Sequence, residues 1–265
     1  MELQQMIARD DFVNQLRQLN YKQAWNLFLD RKDRFFNEDG SVKPEYEKLA
    51  NAYIENVTPK GIVQDCREGT IDKAQIQRFV NEGFLFVYTG ASCSGKTTNA
   101  KKFAKAFNIE VVDIDELFQE YLKKGLGKCK NEKKREKFLR KAGGESDFYI
   151  RDHLESEILR KSDNGQKSLV LVGGFLELIF RSIVRYTLGK HFKGVVNLMV
   201  VEDWNTLARR QEMRLTQSGN YQMEVRAYYG LRRDFLIVES LIDGQMLCGY
   251  GGDYVYIIKS ETELF

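Results

Sequence analysis

A chain of 265 residues with 43% hydrophobic and 12% aromatic side chains carries enough apolar surface for one sizeable core, with room for an accessory piece. Its 41 Lys and Arg against 38 Asp and Glu leave a net charge of +3, too small by itself to specify a partner. Four scattered cysteines (Cys66, Cys93, Cys129, Cys248) form no C-x-x-C pair and exclude a disulfide framework or a cysteine metal site. No run approaches the ~18 apolar residues of a membrane span, and the N-terminus lacks a basic segment followed by an apolar one. A soluble, cytoplasmic protein is expected.

Residues 1–80 read as a helical region. Phe12, Leu16 and Leu19 give one apolar stripe, and Trp25, Leu27, Phe28 and Phe35 a second that stops at Asn37-Glu-Asp-Gly40. Pro44 opens a third helix through Tyr46, Leu49 and Tyr53, and Ile71 to Val80 forms a fourth. This region either packs on the core or docks a protein partner.

The stretch from Phe84 to Ala106 organises the remainder, residues 81–265. Phe84 to Thr89 is aromatic and β-branched, as a buried strand would be. Gly90-Ala91-Ser92-Cys93-Ser94-Gly95-Lys96-Thr97 then matches G-x-x-x-x-G-K-[ST] at every fixed position, followed by Thr98 and a helix with Ala100, Phe103, Ala104 and Phe107 on one face. Strand, glycine loop and helix in that order define a phosphate-binding P-loop of Walker A type. Gly90 and Gly95 let backbone N–H groups turn inward, and the helix start adds its dipole. Lys96 would reach the β- and γ-phosphates of ATP, and the Thr97 hydroxyl would ligate Mg²⁺.

A second strand, Ile109 to Asp115, ends in Asp113 and Asp115, which share a face if the strand persists. One carboxylate could serve the metal while the other accepts a proton from an acceptor hydroxyl; capping of the next helix is the plainer alternative. Residues 119–147 form a basic insertion, with ten Lys or Arg against two Glu between Lys123 and Lys141. It reads either as a solvated helix face or as a flap that closes over an anionic substrate. Gly143-Gly144 precedes FYIRDHLE and a further helix. Strands follow at Ser168–Val172, ending in Gly173-Gly174, at Gly194–Val201 and at Tyr254–Lys259. Between the last two, residues 205–233 are polar and arginine-rich, as a lid would be. The alternation predicts a three-layer α/β/α domain with a five-stranded parallel sheet, its ligands at the carboxyl ends of the strands.

These landmarks resemble the shikimate-kinase-like and gluconate-kinase-like small P-loop kinases of the nucleoside-monophosphate-kinase group, over about residues 83–260. The resemblance rests on GASCSGKTT, DID, FYIRDHLE, VLVGGF and the arginines after the fourth strand. It implies that Asp113 stands on the metal side and that Asp115 is the candidate base. It also implies that Arg151, Gly173 and Gly174 bind the acceptor, and that Arg209, Arg210 and Arg214 form a lid over ATP and the transferring group. The third glycine of the family's strand end is Phe175 here, and its Arg-Pro lid elements are absent. The reaction therefore carries over and the acceptor stays open. Without N-K-x-D or an acidic residue closing the third strand, the chain does not read as a GTPase or a motor ATPase.

The expectation is an ATP- and Mg²⁺-dependent kinase acting on a hydroxyl of a small polar metabolite or nucleoside. Three alternatives are a nucleic-acid hydroxyl gripped by the basic insertion, a nucleotide sugar as in zeta toxins, and a non-catalytic nucleotide switch. His153 and His191, each without metal-ligand spacing, are expected to have no catalytic role.

Overall fold

In a computed structural model, the residues that can be described are 20–23, 62–173, 184–218, 231–232, 235, 238 and 253–260. Six parallel strands form one sheet in the order β1-β6-β5-β2-β4-β3. They are β1 (Ile62–Asp65), β2 (Leu85–Gly90), β3 (Glu110–Asp113), β4 (Leu169–Val172), β5 (Val195–Val201) and β6 (Tyr254–Lys259). The helices are α1 (Lys73–Glu82), α2 (Lys96–Phe107), α3 (Ile114–Gly127), α4 (Glu132–Lys161) and α5 (Trp204–Ser218). No helix among the described residues is long and apolar enough to cross a membrane.

β2 is the central strand, and all six of its residues are buried. It pairs with β4 on one side and β5 on the other, and this accounts for its lack of polar alternation. Its side chains alternate between two apolar layers. Leu85 and Val87 join Ile150, Leu154 and Ile158 of α4. Phe86 and Tyr88 join Ile76 and Phe79 of α1 and Ala100 and Phe103 of α2. α5 inserts Leu207 beside Met199, Val201, Val255 and Ile257 on the α4 face. The one polar pair at the centre is satisfied: Thr89 Oγ1 donates to Asn197 Oδ1 at 2.9 Å. Because the chain leaves β2 first toward β3 and β4 and later toward β5 and β6, the end of β2 is a topological switch point, where open α/β sheets bind ligands.

One expectation is corrected here. The sheet has six strands where five were predicted, and the sixth, β1, lies in a stretch expected to be helical. Ile62 to Asp65 pairs in parallel with Tyr254 to Ile257. Together with α1, whose Ile76 and Phe79 are core residues, it belongs to the sheet layers. Asp72 caps α1 by accepting from the Ala74 and Gln75 N–H groups, and Gly83 ends it at φ 80°. Of the helices expected before residue 61, only 20–23 lie within the described residues; there Asn20 and Gln23 exchange side-chain to backbone hydrogen bonds, and Tyr21 is buried against α4.

The basic insertion consists of two packed helices whose cationic side chains are exposed, as on a solvated helix face. α3 and the first half of α4 form an antiparallel hairpin, with Tyr121 5.5 Å from both Phe138 and Tyr149. A Cβ on Gly125 would collide with the Phe138 ring, so glycine permits this close approach. α4 runs unbroken through Gly143-Gly144. None of the described residues from 118 to 149 joins the sheet's apolar clusters, so the hairpin stands off the sheet as an arm. At its far end α4 returns to the sheet edge, where Lys161 Nζ donates to the Val111 carbonyl of β3 at 2.6 Å.

Phe79 packs its ring 4.7 Å from Phe84 and 4.4 Å from Tyr254 and is fully buried. Phe79→Ala should lower unfolding free energy by about 3–5 kcal/mol in urea titration, whereas the exposed Gln77→Ala should stay within about 0.5 kcal/mol. Equal effects would show that α1 is not part of the core.

Candidate active site

The turn after β2 is dictated by two backbone constraints. Gly90 has φ 147°, and a Cβ there would collide with the Val200 carbonyl oxygen of β5 and lie 2.9 Å from Ser94 Oγ. Cys93 (φ 63°) and Gly95 (φ 86°) both adopt the left-handed conformation, which curls successive N–H groups toward one side as an anion-binding nest. Gly95 is also the N-cap of α2 and supplies no side-chain acceptor, leaving the helix's first N–H groups for a ligand. Lys96 Nζ donates to the Ala91 carbonyl at 3.1 Å, folded over the loop it would serve. Ser94 Oγ is fully buried and has no hydrogen-bond partner.

A polar network grips the outer side of this loop. Arg210 of α5 donates from Nη1 to the Cys93 carbonyl at 3.2 Å and from Nη2 to Ser260 Oγ at 3.1 Å. Its guanidinium lies 3.6 Å from Glu202, the first residue after β5. Glu202 accepts in turn from the Ser260 N–H at 3.0 Å and from the Ser260 hydroxyl. Asn99 of α2 donates to the Ser260 carbonyl at 3.1 Å, and Cys93 Sγ donates to Gln211 Oε1 at 3.0 Å. Beside it opens a hollow of about 460 Å³, lined by Gly95, Thr98, Asn99, Arg210, Met213 and Arg214 among others. Its size falls in the range of small-molecule sites, roughly 300–1,000 Å³.

The acidic side of the site lies on β3. Register pairs Asp113 with Val172 of β4 and Val172 with Tyr88 of β2, so Asp113, Gly173 and the loop all stand at the carboxyl edge. Asp113 and Asp115 do not share a strand face as expected. β3 ends at Asp113, which caps α3 by accepting from the Asp115 N–H at 2.9 Å. A carboxylate at the N-cap, with Asp115 and Glu116 in the first turn, makes helix the stronger local choice. Asp113 is buried, and that burial pushes its carboxyl above the usual range. The Asp115 N–H and Lys101 oppose the shift, while the Asp115 and Glu116 charges add to it. Asp115 itself is exposed, and Glu116 pairs with Lys101 of α2 at 2.8 Å.

The residues singled out by sequence thus fall into three groups. Gly90 to Thr98 form the loop, Arg210 touches it, and Arg214 lines the adjoining hollow. Asp113, Asp115 and the buried Gly173 stand at the same sheet edge. Arg151 is apart: on α4, largely buried, it holds Asp152 through two hydrogen bonds and lies 5.2 Å over the Phe148 ring. Gly174 lies outside the described residues, as do 219–230 of the expected lid. Glu202, Ser260 and Asn99 were missed. A carboxylate closing an apolar strand marked Glu202 as clearly as it marked Asp113; nothing local marks the other two. The two histidines make local contacts, His153 stacked 3.9 Å from Tyr149 and His191 3.1 Å from Glu155.

Known proteins give a limited frame. No family model matches the chain, and no curated protein sequence does either. Among solved structures, the chain is similar to a shikimate kinase from Bacteroides thetaiotaomicron (17% identity, 67% of this chain and 86% of that one, TM-score 0.39). It is also similar to a component of the PezAT toxin–antitoxin system of Streptococcus pneumoniae (12% identity, 86% and 81%, TM-score 0.44). A candidate kinase of Chloroflexus aurantiacus gives 16% identity over 67% and 85%, with TM-score 0.40. With every TM-score below 0.5, the site is read from its own geometry.

Burial holds the folded-state pKa of Asp113 above its unfolded value, so the ionised carboxylate costs stability above the unfolded pKa of about 4 and costs nothing well below it. Asp113→Asn keeps the cap acceptor and should raise the melting temperature near pH 7, the difference vanishing toward about pH 3. A variant that melts lower at neutral pH would show that the charge is compensated.

Proposed function

We propose that this chain is an ATP-dependent kinase that transfers the γ-phosphoryl group to a hydroxyl. One observation carries the reading: a nest of left-handed residues with an uncapped helix start and Lys96 stands at the switch point, and a buried carboxylate, Asp113, closes a strand at the same edge. A nucleotide switch also uses a metal-side carboxylate; what favours transfer to an acceptor is the second carboxylate at that edge, exposed Asp115, together with Arg210 and Arg214 beside the loop.

The loop N–H groups and Lys96 receive the phosphates, Lys96 exchanging the Ala91 carbonyl for phosphate oxygen. The hollow between Gly95, Arg210 and Met213 takes the nucleoside. Magnesium fits the residues present: Asp113 is a buried carboxylate with only neutral N–H and distant Lys101 compensation, and Thr97 opens α2 beside the loop. This ion takes one or two protein oxygens together with substrate phosphates and water. When bound, the ion draws charge from the transferring phosphate. Thr97 and Asp113 would hold it.

Asp115, exposed on the first turn of α3, orients the acceptor hydroxyl and takes its proton as the acceptor oxygen–phosphorus bond forms and the bond to the leaving diphosphate breaks. Arg210 and Arg214 offset the charge on the phosphates. Arg210 is held by Cys93 of the loop, Ser260 and Glu202, so it acts from a fixed position, and Arg214 lines the adjoining hollow. Arg151 serves the acceptor only after exchanging Asp152 for it.

Radiolabelled γ-phosphate transfer, with small metabolites and nucleosides in one pool and DNA and RNA in the other, tests the activity directly. Lys96→Ala should abolish transfer. Asp115→Asn should leave ATP affinity within about twofold and lower transfer roughly 10²-fold or more. Full activity in Asp115→Asn would remove Asp115 from the proton step, and ATP binding without transfer to either pool would leave the switch reading standing.

A further inference from the structure

The arm of α3 and α4 concentrates charge in a way the rest of the chain does not. Between Lys123 and Lys141 there are ten Lys or Arg and two Glu; all other residues together carry 31 cationic and 36 anionic side chains, a net −5. The protein is therefore acidic apart from a 19-residue stretch of net +8. Charge used merely for solubility is dispersed over a surface, whereas a single-sign patch on an oppositely charged body creates a local field.

Its placement is equally specific. At about 100° per residue, Lys133, Lys134, Lys137, Arg140 and Lys141 fall within roughly one third of the α4 circumference. All five are exposed, and among the described residues Arg140 alone of them is ion-paired, to Glu136 at 3.5 Å. Phe138, packed on Tyr121 and Gly125, marks the side that faces α3. From Lys133 to Lys141 the stripe runs about 12 Å, against ~3.4 Å of axis per phosphate on one nucleic-acid strand. A small phosphorylated metabolite engages two or three such cations; a stripe of this length is matched by a chain of phosphates. Nearer the sheet, Phe148 leaves about half its surface in water, at 49% exposure, with the Arg151 guanidinium over one side of the ring. An exposed aromatic beside a cationic stripe is the pairing used to stack bases of a single strand. The arm rises from the carboxyl edge at Asp113 and Asp115, the stripe lies toward its outer half beside Gly125, and Phe148 stands between the stripe and the sheet, so a strand lying along α4 from the stripe past Phe148 runs toward that edge.

We infer that the basic face of α4 binds single-stranded nucleic acid, presenting a strand end whose hydroxyl is the acceptor. The binding stands on the arm's own chemistry; the acceptor role rests on the kinase reading above.

The test uses the full chain without nucleotide and a fluorescent single-stranded DNA of about 12 nucleotides with a free 5′-hydroxyl, followed by anisotropy across a salt series, with inorganic polyphosphate as competitor. The triple variant Lys133→Glu, Lys137→Glu, Lys141→Glu should bind the strand about tenfold or more weakly, and the slope of log K against log salt should be shallower by about 2. Its ATP affinity should be unchanged. Should the charge reversal unfold the arm, the triple Lys→Gln variant tests the same contacts. Phe148→Ala should weaken DNA and leave polyphosphate unaffected. No DNA binding by the wild type, or equal binding by the triple variant, overturns the inference. Polyphosphate binding as tight as DNA, with neither moved by Phe148→Ala, overturns it in favour of another polyanion. Label transfer is read separately: transfer to small molecules alone by a chain that does bind DNA overturns the acceptor role. A chain that binds DNA and transfers label to nothing refutes the kinase reading and leaves the arm's binding intact.

Discussion

The close passage of Gly90 beneath the Val200 carbonyl is the constraint on which the remaining architecture depends. β2 can lie fully buried between β4 and β5 only if its last residue has no side chain, and only glycine allows the φ of 147° that turns the chain out of the sheet there. Once β2 is placed, parallel register fixes the other strand ends. Asp113, Gly173, Glu202 and Ser260 all emerge at the edge where the loop begins. Chemistry-bearing residues from more than 170 positions of sequence are thus gathered by hydrogen-bond register in the sheet, without direct contact among most of them.

Stability is set aside locally at that edge. Asp113 is buried with its carboxyl pushed up, and Ser94 Oγ is buried without a partner. Both carry a desolvation cost that an apolar residue would avoid. The compensation lies behind the loop, where Arg210 bonds to residues from three separate segments: Cys93, Ser260 and Glu202. That network ties α5 and the end of β6 to the loop, and the loop's left-handed conformation at Cys93 is held from outside.

Legibility in the sequence followed the range of the interactions involved. β2, β4, β5 and β6 were placed within a residue or so, because long apolar runs between helices have few other solutions. The loop was legible because its glycines answer to local backbone geometry. β1 was not: four residues, three of them exposed, carry no periodic signal and become a strand only by pairing with β6, about 190 positions away. Asp113 and Asp115 were misplaced relative to each other because a two-residue spacing means one face only while a strand lasts, and the cap at Asp113 ends it. α4 continues through Gly143-Gly144: the ~1 kcal/mol cost of each glycine is outweighed by tertiary packing on both sides of the pair. Ser260 and Asn99 have their partner on another element, so their roles exist only in three dimensions, whereas Glu202 carried the same strand-end signal as Asp113.

The bond from Lys161 to the Val111 carbonyl has a bearing on self-association. β3 is one border of an open sheet, and a border strand offers unpaired backbone groups to any extended chain that meets it. Here the strand is four residues long and an ammonium occupies one of its carbonyls. The opposite border, β1, is equally short and ends in Asp65, paired to Arg67 at 2.7 Å. Among the described residues each border is thus blunted by brevity and charge, the features that disfavour strand addition from a second molecule.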